Sequence, residues 1–430
     1  MRKNLNKIIA FAIGASVVGS SILPVMAESK VNTETITNTQ TQASIEKKVL
    51  TADDAAKIAV ANSNSLQLLD KQIKLTEDLN RLNSRVDDVS NLTDLKEDYN
   101  DDSRKLKLDQ LKQNREFSED KLVQNTKDSF NSLVTSKVQI DKLKNDIQIN
   151  ERSLNESKLK LNLGLATSIQ IDGLELSLQK LKNDLTTKED SFKNEKLKFK
   201  SDTGIDVDDY ILDDTLNYKK LEVEGDLDSY FEGLVDELLS YSEQIYELDK
   251  EYWNDDDNKV KTPTKPSKEE LGSNGLSIED YMKDKNTTDE KINALIKYMD
   301  DSSKYQSSLS TYMNQLSARM AYLQQKYALD ATENGLTEAR KSYKNGLREM
   351  YTNLKSIESA IDLLQQNIEF ENKQIRLSKV NYDLGLMTKL AYDTKVNDLE
   401  TNQVALRTSI NNYNTLKASL EKPWITFSQS

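Results

Sequence analysis

From Leu133 onward, apolar residues recur at every seventh position: Leu133, Ile140, Ile147, Leu154 and Leu161. That spacing is one face of a supercoiling helix. A second column, Ile171, Leu178, Leu185, Phe192 and Phe199, follows a break at Leu163-Gly164-Leu165-Ala166-Thr167. Two columns about a glycine predict an antiparallel helical hairpin, with Gly164 taking the left-handed conformation that stops the first helix. Thr167 is placed to cap the second helix, and Gln170 completes a capping box.

The pattern occurs twice. A shift of 221 residues, the separation of Gly164 from Gly385, lays Leu354, Ile361, Ile368, Ile375 and Tyr382 on the first column. Tyr392, Leu399, Leu406, Tyr413 and Leu420 fall on the second, and Leu384-Gly385-Leu386-Met387-Thr388 falls on the turn. The chain is therefore an internal duplication. It predicts an all-α fold of two long antiparallel coiled-coil hairpins, the first repeat over 50–204 and the second over 226–423.

Around the repeats, Arg2, Lys3 and Lys7 precede an apolar run from Ile8 to Val25. Gly14, Gly19, Ser20, Ser21 and Pro24 weaken that run as a spanning helix, so 1–27 reads as a signal peptide cleaved after Ala27. Residues 28–49, rich in Thr, Asn, Gln and Ser, read as a flexible leader. An acidic connector, 205–225, joins the repeats. The helical pattern blurs between Val86 and Ser103, and a loop insert over 254–289 interrupts the second repeat, with a short helix expected around Ser277 to Lys283. Residues 424–430 form a short aromatic tail.

Composition narrows the chemistry. Among 430 residues there is no cysteine and no histidine, which removes disulfides, thiolate metal sites and the commonest general base. Only 12 glycines and 4 prolines occur, as long helices require. The formal charge is -13, and loss of the signal's three cations would bring it near -16, so nucleic acid is not an expected partner. The aspartates at 206, 208, 209, 213 and 214 lack the spacing of a calcium loop, and those at 255–257 do likewise. Both groups read as solvated acidic loops. No paired carboxylates across a cleft and no nucleophile pattern stand out. No enzyme, cofactor or metal is expected.

Leu161-Asn-Leu-Gly-Leu-Ala-Thr167 and Tyr382-Asp-Leu-Gly-Leu-Met-Thr388 resemble the hairpin tips of TolC-type outer-membrane efflux proteins. The opening from Leu50 to Asn64 resembles that family's leading short helix, and Leu227 to Leu239 is a weaker echo at the second half. The resemblance implies a TolC-like helical body, a homo-trimer, and tips that meet a membrane-fusion-type adaptor serving an exporter of the inner or cytoplasmic membrane. The adaptor-docking tips would be Leu163, Gly164, Leu165 and Thr167 in one copy and Leu384, Gly385, Leu386 and Thr388 in the other. In that family the two interruptions carry the strands of a shared β-barrel. Here both are acidic and neither alternates apolar with polar, so the barrel is expected to be missing.

Such a protein is expected to be exported to the cell envelope or beyond, with the outer membrane disfavoured by the lost barrel. A composition rich in Lys, Asn, Ile and Tyr suits an AT-rich genome and an envelope without an outer membrane. The apolar residues at the tips have two readings, a contact folded back onto the last helical turn and an exposed docking surface. The whole chain also has two: a conduit or scaffold of an efflux or secretion system, and a coiled-coil structural or adhesion protein of the envelope. A conduit requires a second apolar edge on the helices for neighbouring subunits, and a spacer requires one seam only. Ser136/Ile357, Leu143/Leu364, Ile149/Phe370 and Leu159/Val380 lie off the main columns and favour the second edge.

Overall fold

The computed structural model describes residues 47–267 and 277–427. The expected signal peptide and nearly all of the leader lie outside them. In chain order the elements are β1 (Lys48–Leu50), α1 (Ala52–Asn62), α2 (Asn64–Asp87), α3 (Asp94–Asn162), α4 (Ser168–Thr203), β2 (Tyr210–Leu212), α5 (Leu227–Asn254), α6 (Ile278–Met282), α7 (Thr288–Asp383), α8 (Lys389–Glu421) and α9 (Trp424–Phe427). Among the described residues β1 and β2 are the strands, and neither chain interruption contains one. No described helix is long and apolar enough to cross a membrane.

The described residues fall into two compact units. One is built from Asn80–Lys107 and Leu239–Ala339, the other from 47–79, Leu108–Leu238 and 340–427.

The second unit holds both hairpins. Leu133, Ile140, Ile147 and Leu154 of α3 are buried, as are Ile171 and Phe199 of α4, Leu354 and Ile361 of α7, and Leu399, Tyr413 and Leu420 of α8. The seven-residue columns are thus the seams of the hairpins, most completely covered away from the turns. The first hairpin carries rungs from Lys144 to Glu189 (3.0 Å), Lys182 to Glu151 (2.8 Å) and Lys158 to Glu175 (2.7 Å). The two hairpins lie against each other along α3 and α8. Asn411 Nδ2 donates to Thr135 Oγ1 (2.9 Å), Thr415 Oγ1 to Asp128 Oδ1 (2.6 Å) and Asn145 Nδ2 to Glu400 (3.1 Å), and Arg152 pairs with Asp393.

A compact core closes the base of the first hairpin. Leu50, Ala55, Phe130, Leu133, Val134, Phe199, Ile205 and Val207 pack together there. β1 runs parallel to β2, Lys48 opposite Tyr210 and Leu50 opposite Leu212, so the last leader residues form a strand. The connector is more than an acidic loop. Two of its aspartates are held in place: Asp206 accepts from the backbone of Asp208 (3.1 Å) and pairs with Lys200 (2.7 Å), and Asp208 pairs with Lys196 (2.8 Å).

Beyond β2 the connector runs along α8, whose side chains satisfy its backbone. Arg407 donates to the carbonyl of Asp214, Asn414 to that of Asn217 (2.8 Å) and Lys417 to that of Lys219 (3.1 Å). The amide of Leu221 donates to the hydroxyl of Tyr413 (2.7 Å). A segment without ladder partners must find such donors and acceptors elsewhere. At the start of the second repeat, Asp228, Glu232 and Asp236 of α5 face Arg340, Lys344 and Arg348 of α7 over the buried Phe231 and Val235. The tail is tied in as well. Trp424 stacks on Phe117 at 4.4 Å and donates from Nε1 to Asp120 (2.9 Å).

In the other unit, the break read as Val86 to Ser103 is shorter. α2 ends at Asp87 and α3 begins at Asp94, where Thr93 accepts from the amide of Lys96 (3.3 Å). Asp87 receives Arg104 (2.6 Å) and Asn100 (3.1 Å), and the Arg104 guanidinium holds its carboxyl below the usual carboxylate range. Tyr99 stacks on Tyr252 at 4.0 Å and donates to Asp249 (2.7 Å). The insert contains α6 over Ile278–Met282, at the expected place, with Ser277 as its cap (3.1 Å from Asp280 N). Tyr281 of α6 donates to the buried Asp301 of α7 (2.6 Å). Among the described residues, no group of three or more acidic side chains is arranged to hold a metal ion.

Asp128 gives one pH prediction. Burial pushes its carboxyl above the usual carboxylate range, against the lowering effect of Thr415 and Gln124. A raised folded value means that the native state holds the proton more tightly, so ionised Asp128 costs stability at neutral pH and the cost fades on acidification. Asp128→Asn keeps an oxygen acceptor and removes the charge. Urea unfolding of the variant at pH 7 should match or exceed the native protein, and its advantage should shrink towards pH 4. An advantage constant with pH would contradict this.

Candidate functional site

The two hairpin turns repeat one backbone design. At the first, the amide of Gly164 donates to the carbonyl of Leu161 (2.9 Å) and that of Leu165 to Lys160 (2.8 Å). At the second, Gly385 donates to Tyr382 (2.9 Å) and Leu386 to Asn381 (2.8 Å). These paired bonds satisfy the orphan carbonyls at the end of a helix, and they require a left-handed residue between them. Gly164 and Gly385 supply it, each with φ of 74°. A Cβ at either glycine would meet no atom within 4 Å, so within one chain the dihedral alone selects glycine.

Each turn is then closed by a cap. Thr167 Oγ1 accepts from the amide of Gln170 (3.3 Å) and Gln170 Oε1 accepts from the amide of Thr167 (2.9 Å), a complete capping box. Thr388 Oγ1 accepts from Ala391 N (3.2 Å), and an alanine at that place leaves the second box half made. The structure brings Leu163, Gly164, Leu165 and Thr167 together at one turn, and Leu384, Gly385, Leu386 and Thr388 at the other.

The backbone folds onto the last helical turn, and the leucines do not follow it. Leu163, Leu165, Leu384 and Leu386 are 73%, 74%, 68% and 75% exposed. Of the two readings of these residues, the structure therefore presents the bare apolar surface, at turns where solvent selects polar residues. Ile169, just inside α4, is bare as well, a residue that the repeat comparison does not single out. The flanks are charged. Tyr382 and Tyr392 stack at 5.6 Å at the close of the second seam, with Lys389 over both rings, and Lys389 and Arg152 share Asp393. A hydrogen bond to Asp383 raises the affinity of the Lys379 ammonium for its proton. The tips can therefore offer apolar contact flanked by paired cations.

A second apolar column runs down α7 to the turn. Leu363, Phe370, Leu377 and Leu384 follow one another at every seventh residue, two positions from the seam, and are 59%, 60%, 68% and 68% exposed. The sequence comparison found Phe370 and Leu384 and missed the other two. A scan for a second seven-residue period in α7 alone would have shown them.

No protein-family model matches the chain, and comparison with curated proteins finds no match. Solved structures do resemble it. A crystal structure of a membrane protein from Pseudomonas aeruginosa matches with a TM-score of 0.53 at 10% identity, over 87% of this chain and 93% of that one. The Campylobacter jejuni CmeC outer membrane channel matches at 0.44 and 13% identity, over 93% and 94%. The open state of the Neisseria gonorrhoeae MtrE outer membrane channel matches at 0.45 and 10%, over 94% and 98%. The likeness to the Pseudomonas membrane protein is one of fold, and it extends over nearly the whole of both chains.

Proposed function

We propose that the chain is an exported, TolC-like, non-enzymatic conduit or scaffold of an efflux or secretion system. Three copies assemble side by side, and the tips dock a membrane-fusion-type adaptor that serves an exporter in the inner or cytoplasmic membrane. The carrying observation is the second column, Leu363, Phe370, Leu377 and Leu384, left bare beside a filled seam. A free-standing spacer needs one seam and gains nothing from a second apolar edge in water, whereas a wall of helices needs an edge for each neighbour. The fold shared with a bacterial membrane protein and the exposed tip leucines support the same reading.

On this reading the assembly is a helical body in the envelope and not a pore through an outer membrane, supported by the described parts of the interruptions, which carry no strand. The test is the mass of the chain from residue 28 to 430 by sedimentation equilibrium over a range of concentrations. A trimer is expected. A persistent monomer would overturn the conduit.

A further inference from the structure

The amino-terminal part of α7 carries a second unpartnered seam, in the unit that contains Leu239–Ala339. Ile292, Met299, Gln306, Met313, Met320 and Tyr327 stand at every seventh residue, and Leu295, Leu309, Leu316 and Leu323 stand three residues after members of that series. This is a first-and-fourth heptad pattern, broken by Gln306 in one series and Ser302 in the other. At 1.5 Å per residue it runs for roughly 55 Å. Its first column is bare: Ile292 is 50% exposed, Met299 62%, Met313 61%, Met320 58% and Tyr327 75%, while in the second Leu323 is 50% exposed and Leu309 and Leu316 are half-buried.

The neighbouring face is covered by the chain itself. Tyr298 meets Tyr281 of α6 at 5.4 Å, and Arg319 donates to the carbonyl of Val260. Tyr298 and Arg319 flank the seam on one side, and Ser303, Ser310 and Ser317 flank it on the other, small residues that let another helix approach.

We propose that this seam is filled by the same segment of neighbouring copies, wound together parallel and in register. The inference rests on the conduit reading for the number of copies and stands apart from it in location. Two features select a second copy as the occupant. The first is charge. From Tyr305 to Ala318 there is not one charged residue, in a chain that is 30% charged and carries a net -13. Copies so strongly alike in charge can approach only through a face without it, and depletion of charge marks the core of an interface. The second is Gln306. Parallel, in-register pairing sets Gln306 against Gln306, where the amides satisfy one another, and a polar residue at this position fixes register in parallel coils. An antiparallel arrangement over the same length would bury Gln306 against Met313.

The absence of cysteine makes the test direct, because a single introduced thiol can pair only with its own counterpart. In the chain from 28 to 430, Met313→Cys should oxidise to a covalent dimer within the assembly. Ala318→Cys, on the opposite face of α7, should not. Met313→Glu with Met320→Glu should weaken association at least tenfold at unchanged helix content. Failure of Met313→Cys to cross-link while the native chain sediments as a trimer would overturn this inference and leave the conduit standing. Cross-linking at Met313→Cys in a chain that sediments only as a dimer would support the inference and overturn the conduit. A monomer without cross-links would overturn both.

Discussion

Tyr413→Ala is expected to remove about 3–5 kcal/mol of stability, the range for truncating a buried aromatic ring. Tyr413 is fully buried on α8, where its ring meets Tyr218 edge-on at 5.0 Å. Its hydroxyl accepts the amide of Leu221, so the residue is both a seam position and the anchor of the connector. Tyr413→Phe separates the two roles. It keeps the ring and leaves the buried amide without an acceptor, at a cost of about 1–3 kcal/mol. Urea unfolding measures both variants, and hydrogen exchange at Leu221 distinguishes them. Tyr413→Phe should expose that amide while the amides of α8 stay protected. An unchanged exchange rate at Leu221 would show that the hydroxyl does not hold the connector.

The second large effect concerns function. Leu165→Asp combined with Leu386→Asp should abolish adaptor capture while leaving the fold in place. Both side chains are about three-quarters exposed, and surface substitutions of this kind shift stability by about 0.5 kcal/mol or less. In a docked complex each leucine would bury apolar surface worth about 1.5–3 kcal/mol, so losing two corresponds to roughly a hundredfold or more in affinity. The measurement is equilibrium binding of the purified membrane-fusion-type adaptor encoded by the same genome, with the melting temperature of the variant as control. Unchanged affinity in a variant that melts like the native chain would remove the tips from the docking surface.

Much of this architecture is legible in the residues themselves. Helical seams announce themselves because a seven-residue period survives any divergence of the exposed faces, and the turns announce themselves because a left-handed residue between two helices admits few substitutes. α6 was legible from Ser277 and its flanking breakers. Other features were hidden for identifiable reasons. Leu363 and Leu377 correspond in the first repeat to Lys142 and Glu156, so a comparison of the two copies discards them. At these two positions the copies differ in what they leave bare, although they agree at the turns.

The connector misled in a different way. Ile205, Val207 and Leu221 are buried, but they are spaced without period among seven acidic residues from Asp206 to Glu224 and are visible only once α8 and the core lie beside them. The start of α3 was blurred because Tyr99, Ser103 and Arg104 carry its packing, and a polar contact has no hydrophobic period. Trp424 likewise owes its place to Phe117 and Asp120, more than 300 residues earlier.

The short parallel pair of β1 and β2 has a kinetic consequence. Three residues on each side join points roughly 160 residues apart, and an open chain would find so distant a partner slowly. Once α3 and α4 have zipped from their turn and Asn62 of α1 has reached the carbonyl of Thr203 (3.0 Å), however, the loop left to close is only the short stretch from β1 to Asn62 and from Thr203 to β2. The strands are thus the latch of the first hairpin and not its nucleus. They are expected to engage after the hairpin and α1 have docked, and Lys48–Leu50 is drawn into place only then.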